Sequence, residues 1–358
     1  MVRRLFKPNY SRRSLPRRRG RSVGMPSLSE AVQNKASDTE VLALLAAHPE
    51  GAKEKDSNRN LPLHHAVEKY VGSTTASDAV ALALLAAHPE GAKEKHGTGR
   101  LPLHLAVTNK ASEAVVLALL AAHPEGAKEK DRALDVRLPL HHAVANKASD
   151  AVVLALLEAH LEGAKEKERS GRLPLHFAFE KEASDAVALA LLAANPEGAK
   201  EKDGISKLPL HYAVENKASD AVVLALLAAC VEGAKEKDGG WLPLHKALEN
   251  KRSDIVVLAL LEAHPDGVKV KNRSGLLPLH YAIAMKASDA VVLALLTIYP
   301  LASLYKDARG LLPLDVALKS GAAREVLAAL AQAQMTMLAV LADPAQHVDL
   351  PVGAPPER

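Results

Sequence analysis

The chain has 358 residues, is 48% hydrophobic but only 3% aromatic, and carries a formal charge of +4. So few rings exclude a globular core built on large aromatic anchors and suit helices stacked tightly through Ala, Val and Leu. Cys230 is the only cysteine, which excludes an intramolecular disulfide and favours a reducing compartment, cytoplasm or nucleus.

The charge is unevenly placed. Residues 1–24 hold eight Arg and one Lys with no acid. That +9 leader leaves the rest of the chain at −5. The segment lacks the apolar stretch of a secretory signal. Its Arg12, Arg13, Arg17, Arg18, Arg19 and Arg21 allow three readings: a nuclear-import or nucleic-acid patch, an organelle presequence, or a solvated tail. Pro8 and Pro16 argue against one amphipathic presequence helix.

From residue 25 to 343 the chain repeats itself. Leu-Pro-Leu-His occurs at Leu61, Leu101, Leu138, Leu173, Leu208, Leu242 and Leu277, and Leu312-Pro313-Leu314-Asp315 is an eighth copy lacking only the histidine. The spacings run 40, 37, 35, 35, 34, 35 and 35 residues. A period near 35 predicts a solenoid of about nine small units that each bury their apolar face against neighbours.

Residues 137–172 show one unit. Leu138-Pro139-Leu140-His141 opens a short first helix, with proline at the first helical position. Ser149-Asp150 caps a second helix in which Val153, Leu156, Leu157 and His160 share one face. Gly163 is expected to close it as a left-handed cap. Lys165 to Arg172, containing Ser170-Gly171, is a turn-bearing connector. A degenerate first unit begins near Ser27. The last has a longer second helix, Ala322 to Ala342, read as a terminal helix and not a membrane span. Insertions are expected at Lys69 to Thr75 and Leu134 to Arg137. Residues 344–358 form a Pro-rich tail expected to be disordered.

Two helices and a turn-bearing connector with Pro-Leu-His-x-Ala, Val-Val-x-x-Leu-Leu and Gly-Ala-Lys resemble the ankyrin repeat, over nearly nine-tenths of the chain. The resemblance implies an all-α, helix-turn-helix solenoid and a non-catalytic protein-interaction scaffold. Two departures stand out. Leucine replaces the family threonine before Pro-Leu-His, which puts the threonine's capping bond to the histidine in doubt. Lys-Ala-Ser replaces the glycine between the helices.

Sixteen histidines raise the question of metal. One ladder is His64, His104, His141, His176, His211, His245 and His280. A second is His48, His88, His123, His160 and His264, with Asn195, Cys230 and Tyr299 in register. Neighbours on packed helices lie about 8–10 Å apart, too far to share a zinc with nitrogens at about 2.0–2.1 Å. The first ladder is expected to bond backbone between units, and the second to sit at helix C-termini. Cys230 reads as a small buried residue. No catalytic, cofactor or metal residues are expected.

What varies within the repeat marks the candidate partner surface. In ankyrin-like arrays the connector tips and first helices line a concave face. Phe177, Tyr212, Trp241 and Tyr281 fall at two variable positions in successive units, flanked by Arg172, Lys207 and Lys246. They are expected to form a solvent-reachable stripe for a protein partner. Arg100, Arg137 and Arg172 form a basic edge. A row of leucines at 42, 82, 117, 154, 189, 224, 258 and 293 is expected to be buried between repeats. The array is expected to be a monomer that does not touch membranes. The competing function is a nucleic-acid-associated regulator whose array recruits a partner while the leader contacts phosphates.

Overall fold

The structure, a computed structural model, describes residues 26–68, 78–131, 136–307 and 309–342. The leader, the tail from residue 343, the whole first insertion, Leu134 and Asp135 of the second, and residue 308 lie outside the described residues, and with them every leader arginine named above.

The described residues form nine helix pairs. The pairs are α1 (Leu28–Gln33) with α2 (Asp38–Ala47), α3 (Pro62–Val67) with α4 (Asp78–Ala87), and α5 (Pro102–Thr108) with α6 (Glu113–Ala122). Then come α7 (Pro139–Ala145) with α8 (Asp150–Ala159), α9 (Pro174–Glu180) with α10 (Asp185–Ala194), and α11 (Pro209–Glu215) with α12 (Asp220–Ala229). The last three are α13 (Pro243–Glu249) with α14 (Asp254–Ala263), α15 (Pro278–Ala284) with α16 (Asp289–Ile298), and α17 (Pro313–Ser320) with α18 (Arg324–Ala342). Odd-numbered helices pack on one another in one layer and even-numbered helices in a second. The expected all-α solenoid is what forms.

Local chemistry explains each boundary. Proline occupies the first position of every first helix from α3 onward. Ser112, Ser149, Ser184, Ser219, Ser253 and Ser288 cap their second helices, each hydroxyl accepting the N–H three residues on. The turn between paired helices needs a left-handed residue. Lys110, Lys147, Glu182, Lys217, Lys251 and Lys286 supply it with φ of 52–58°, a conformation that costs a non-glycine residue about 1 kcal/mol or more. Among the described residues only the last unit uses glycine there, Gly321 at φ 69°.

Gly163 corrects the expected cap. It lies inside a 3-10 helix, Leu161–Lys165, and is not among the glycines with positive φ. What it supplies is space. A Cβ there would sit 3.0 Å from the His160 ring and 3.4 Å from Leu138 Cδ1. Gly91, Gly126 and Gly267 lie under His88, His123 and His264 in the same way. Four histidines of the second ladder therefore roof a glycine at their helix C-terminus, whereas Gly51, beside His48, faces Leu28.

The leucine row is a second correction. Leu154, Leu189, Leu224, Leu258 and Leu293 are 37–38% exposed. Even-numbered helices pack on their own partner and on the next even helices, which leaves a fourth side open. The row lies along that open side. The last helix, α18, buries Val326 and Leu330 while Met335 and Leu338 stand exposed. By length and composition it is also apolar enough to cross a membrane.

Candidate partner-binding surface

The first histidine ladder is the joint between units. In six of seven units the Nδ1 of the histidine accepts the N–H of the leucine that opens its own helix, at 2.9–3.3 Å. With Nδ1 accepting, Nε2 carries the proton. It donates to the carbonyl of Glu94, Glu129, Glu166, Glu201, Glu236 or Tyr305 in the next unit, at 2.8–3.1 Å. One ring thus caps a helix and staples two repeats. The network survives the loss of threonine because the ring reaches the leucine N–H by itself. Burial makes protonation costly and pushes His64, His104 and His141 down to about 4. His245 is the exception. Burial pushes it to about 4 as well, but both its ring nitrogens lack a hydrogen-bond partner, although the backbone of Leu276 and Val270 lies close. Its unit has a shortened connector, Asp238-Gly239-Gly240-Trp241, closed by paired backbone bonds at 2.9 Å.

Apart from that one, the connectors are organised by a polar side chain. Asp203 Oδ1 accepts the N–H groups of Ile205 and Lys207, at 3.0 and 2.9 Å. Asp56, Asn272 and Asp307 do the same in their units. The second oxygen takes the residue after the ladder histidine: His65 to Asp56 at 2.9 Å, His142 to Asp131 at 3.0 Å, Tyr212 to Asp203 at 2.8 Å. Tyr281 is held by Asn272 at 3.1 Å. Burial alone would raise the Asp203 carboxyl, but the Lys207 N–H, the Tyr212 hydroxyl and the Ile205 N–H hold it below its ordinary value. Tyr212 is pushed up by burial and by its bond to Asp203.

That arrangement overturns the expected aromatic stripe. Phe177 is 2% exposed, Tyr212 7% and Tyr281 9%. They fill the space between connector and first helix and are not presented to solvent. Trp241 is half-buried, with its ring centroid 5.3 Å from that of Tyr281, and Lys246 Nζ lies 4.5 Å from the indole centroid. The basic edge is likewise spent internally. Arg100 pairs with Asp131 at 3.5 Å, Arg137 with Glu168 at 3.7 Å, Arg172 with Asp203 at 3.8 Å and Lys207 with Asp238 at 3.3 Å. Each cation reaches the turn acid of the following unit. Arg172 also binds Glu180, Lys207 binds Glu215, and Lys246 binds Glu249. Arg137 and Arg172 cover the Phe177 ring at 4.9 and 5.5 Å.

The signal that separates these residues from a surface stripe was in the sequence. Nine residues before Tyr212 and Tyr281 stand Asp203 and Asn272, and before His65 stands Asp56. A polar turn residue paired with a donor at fixed spacing marks an internal bond. What does stand at the connector tips is a different set: Arg169, Ile205, Arg273 and Arg309. Ile205 is 68% exposed. Arg273 lies across Gly240, where a Cβ would meet its Cγ at 2.7 Å. Neighbouring tips touch, with Gly204 N–H donating to Ser170 O at 2.8 Å.

Lys-Glu pairs link the connectors as well, from Lys55 to Glu94 at 2.9 Å through Lys202 to Glu236 at 2.8 Å. Among the described residues, no three His, Cys, Asp or Glu side chains are placed to hold a metal ion.

Residues 210–302 match the family model for ankyrin repeats in three copies. Units three to five, on its N-terminal side, carry the same histidine joint and the same serine caps and the same left-handed turn. The chain carries ankyrin repeats. Its repeats form a protein-interaction domain. Two solved structures are similar. One is the ankyrin repeat domain of Bcl-3, a member of the IkappaB family, at 27% identity over 66% of this chain and 100% of that one, with a TM-score of 0.42. The other is the complex of the predatory endopeptidase Bd0816 from Bdellovibrio bacteriovorus with the immunity protein Bd3460. There the identity is 20% over 56% of this chain and 97% of that one, with a TM-score of 0.42. No curated protein matches the chain.

Proposed function

We propose that these ankyrin repeats bind a partner protein across the connector tips of units five to nine, on the concave face, without catalysis. The observation that carries this reading is the contrast between joint and tip. The histidine joint, serine caps and turn bonds repeat unit after unit, while the exposed tips differ: Arg169, Ile205, Arg273 and Arg309. Arginine and tryptophan are enriched where binding energy concentrates, and an exposed isoleucine among them serves no packing role. Trp241, Lys246, Arg172 and Lys207 are only partly exposed at the base of this surface and form its floor.

The test is affinity capture with the full chain against Ile205→Glu and Arg273→Glu. Both side chains are exposed, so melting temperatures should stay within a degree or two of wild type. A partner held by the wild type and lost from these variants supports the reading. A partner retained by both places the contact on another face.

A second reading rests on the +9 leader. If it grips nucleic acid, binding should vanish when residues 1–24 are deleted and should weaken steeply with salt, because released counterions drive it.

A further inference from the structure

The edge opposite the connector tips, where each first helix turns into its second, carries a crevice at successive unit junctions. Four of these have volumes of about 170 to 230 Å³. Between units six and seven the same position is filled by the protein itself. Unit seven has Arg252 where units three to six and eight have alanine (Ala111, Ala148, Ala183, Ala218, Ala287). The Arg252 side chain is 5% exposed. It runs back across the junction, donates to the carbonyl of Ala218, and lies 3.6 Å from Asp220 Oδ1 at the start of α12.

The junction between units four and five offers the same components with nothing in them. Ala148 stands where Ala218 does, Asp150 where Asp220 does, and the walls are Val144, Val153 and Ala183. It also differs in charge. The left-handed turn residue of unit five is Glu182, whereas units six, seven and eight have lysine there. Asp150 and Glu182 are both exposed, and neither is engaged in an ion pair among the described residues. Against them stands Lys147 alone. The crevice around Arg252 accepts a guanidinium in spite of Lys217 and Lys251. At the three-four junction the matching carboxylate, Glu113, is already held by Ser149 at 2.6 Å.

We propose that the crevice between units four and five receives an arginine side chain from a partner protein segment. The guanidinium would bind the Ala148 carbonyl, Asp150 and Glu182, with the aliphatic stem on Val144 and Val153. A planar fork of donors fits a carbonyl and two carboxylates, and a lysine ammonium does not. This deepens the protein-binding reading but uses a different edge, so the Ile205→Glu and Arg273→Glu variants leave it untouched.

The experiment compares fluorescent oligoarginine and oligolysine of equal length, titrated by anisotropy against the full chain, the Asp150→Asn/Glu182→Gln variant, and Ala183→Arg. The last places in unit five the arginine that unit seven already has. The wild type should prefer oligoarginine by about tenfold or more. Both variants should lose that preference, and Ala183→Arg should melt no lower than wild type. Equal binding of the two peptides, or a preference that survives in the exposed Asp150→Asn/Glu182→Gln variant, overturns the proposal. A preference that emerges only after residues 1–25 are removed would seat the chain's own leader in the crevice and overturn its assignment to a partner.

Discussion

At the scale of single residues, the repeat is held by one imidazole used twice. The eighth copy shows the logic. Asp315 replaces the histidine and still accepts the Leu312 N–H, at 3.1 Å, so the capping half of the task is kept. The bridging half falls away where no further described unit offers a carbonyl. In the middle of the stack both halves matter. His211→Ala would strand the buried Leu208 N–H and the Glu236 carbonyl, at a cost of about 3 kcal/mol or more, read as a loss of denaturation midpoint. The role of this ladder was legible because its spacing exceeds any metal's reach. The left-handed lysines were not, since a lysine names no φ. Lys217, at φ 58°, makes a converse prediction: Lys217→Gly should stabilise by about 1 kcal/mol, as Gly321 already does in the last unit. A lower melting temperature for Lys217→Gly would mean that the side chain contributes more than its backbone strain costs.

At the scale of the helix pair, capping was legible and facing was not. Proline at the first position and serine before the second helix are chemical signals that act locally. Whether an all-apolar helix is enclosed depends on how many neighbours it has, and the sequence of one helix does not state that. The leucine row followed the apolar wheel and emerged on the open side. Phe177, Tyr212 and Tyr281 failed in the opposite sense: they vary between units yet face inward, each fitted to its own connector. Gly163 shows a similar ambiguity, since glycine serves both for left-handed turns and for want of a side chain. Here the second applies, and the units supply their own control. Gly163→Ala drives a methyl to within 3.0 Å of the His160 ring, and should cost about 1–3 kcal/mol by overpacking. Cys230 replaces that ring in unit six, and a Cβ at Gly233 would find its nearest neighbours at 3.4–3.5 Å, which is ordinary contact. Gly233→Ala should therefore be neutral or slightly stabilising. Equal losses in the two variants would show that glycine is needed there for its backbone.

For the whole molecule, the joint makes the stack a pH-dependent assembly. The period alone disclosed the stack, because a unit that cannot bury its own face must bury it on the next. Its electrostatics needed the coordinates, because burial decides them. Seven ladder histidines have pKa values lowered by burial, and four of them reach about 4: His64, His104, His141 and His245. The others are His176, His211 and His280. In the unfolded chain each titrates near 6.5. Below that pH the unfolded state binds more protons than the folded one, so unfolding is favoured as pH falls. The stabilisation is fully present above 6.5 and is lost progressively toward 4. Each of the four strongly shifted rings costs about 1.4 kcal/mol for every pH unit in that window. The turn carboxylates Asp56, Asp131, Asp203 and Asp307 also lie below their ordinary values, but their contribution is lost only below about 4. The acid limb should therefore begin near pH 6.5, well before carboxylates titrate. Melting temperature followed from pH 8 to pH 4 should stay level to about 6.5 and then fall steeply. His104→Gln, which removes one titrating ring, should be less stable at pH 8 yet lose less between pH 6.5 and 4.5. A curve flat down to pH 4.5 would mean that the ladder histidines are reached by water and protonate without opening the joints.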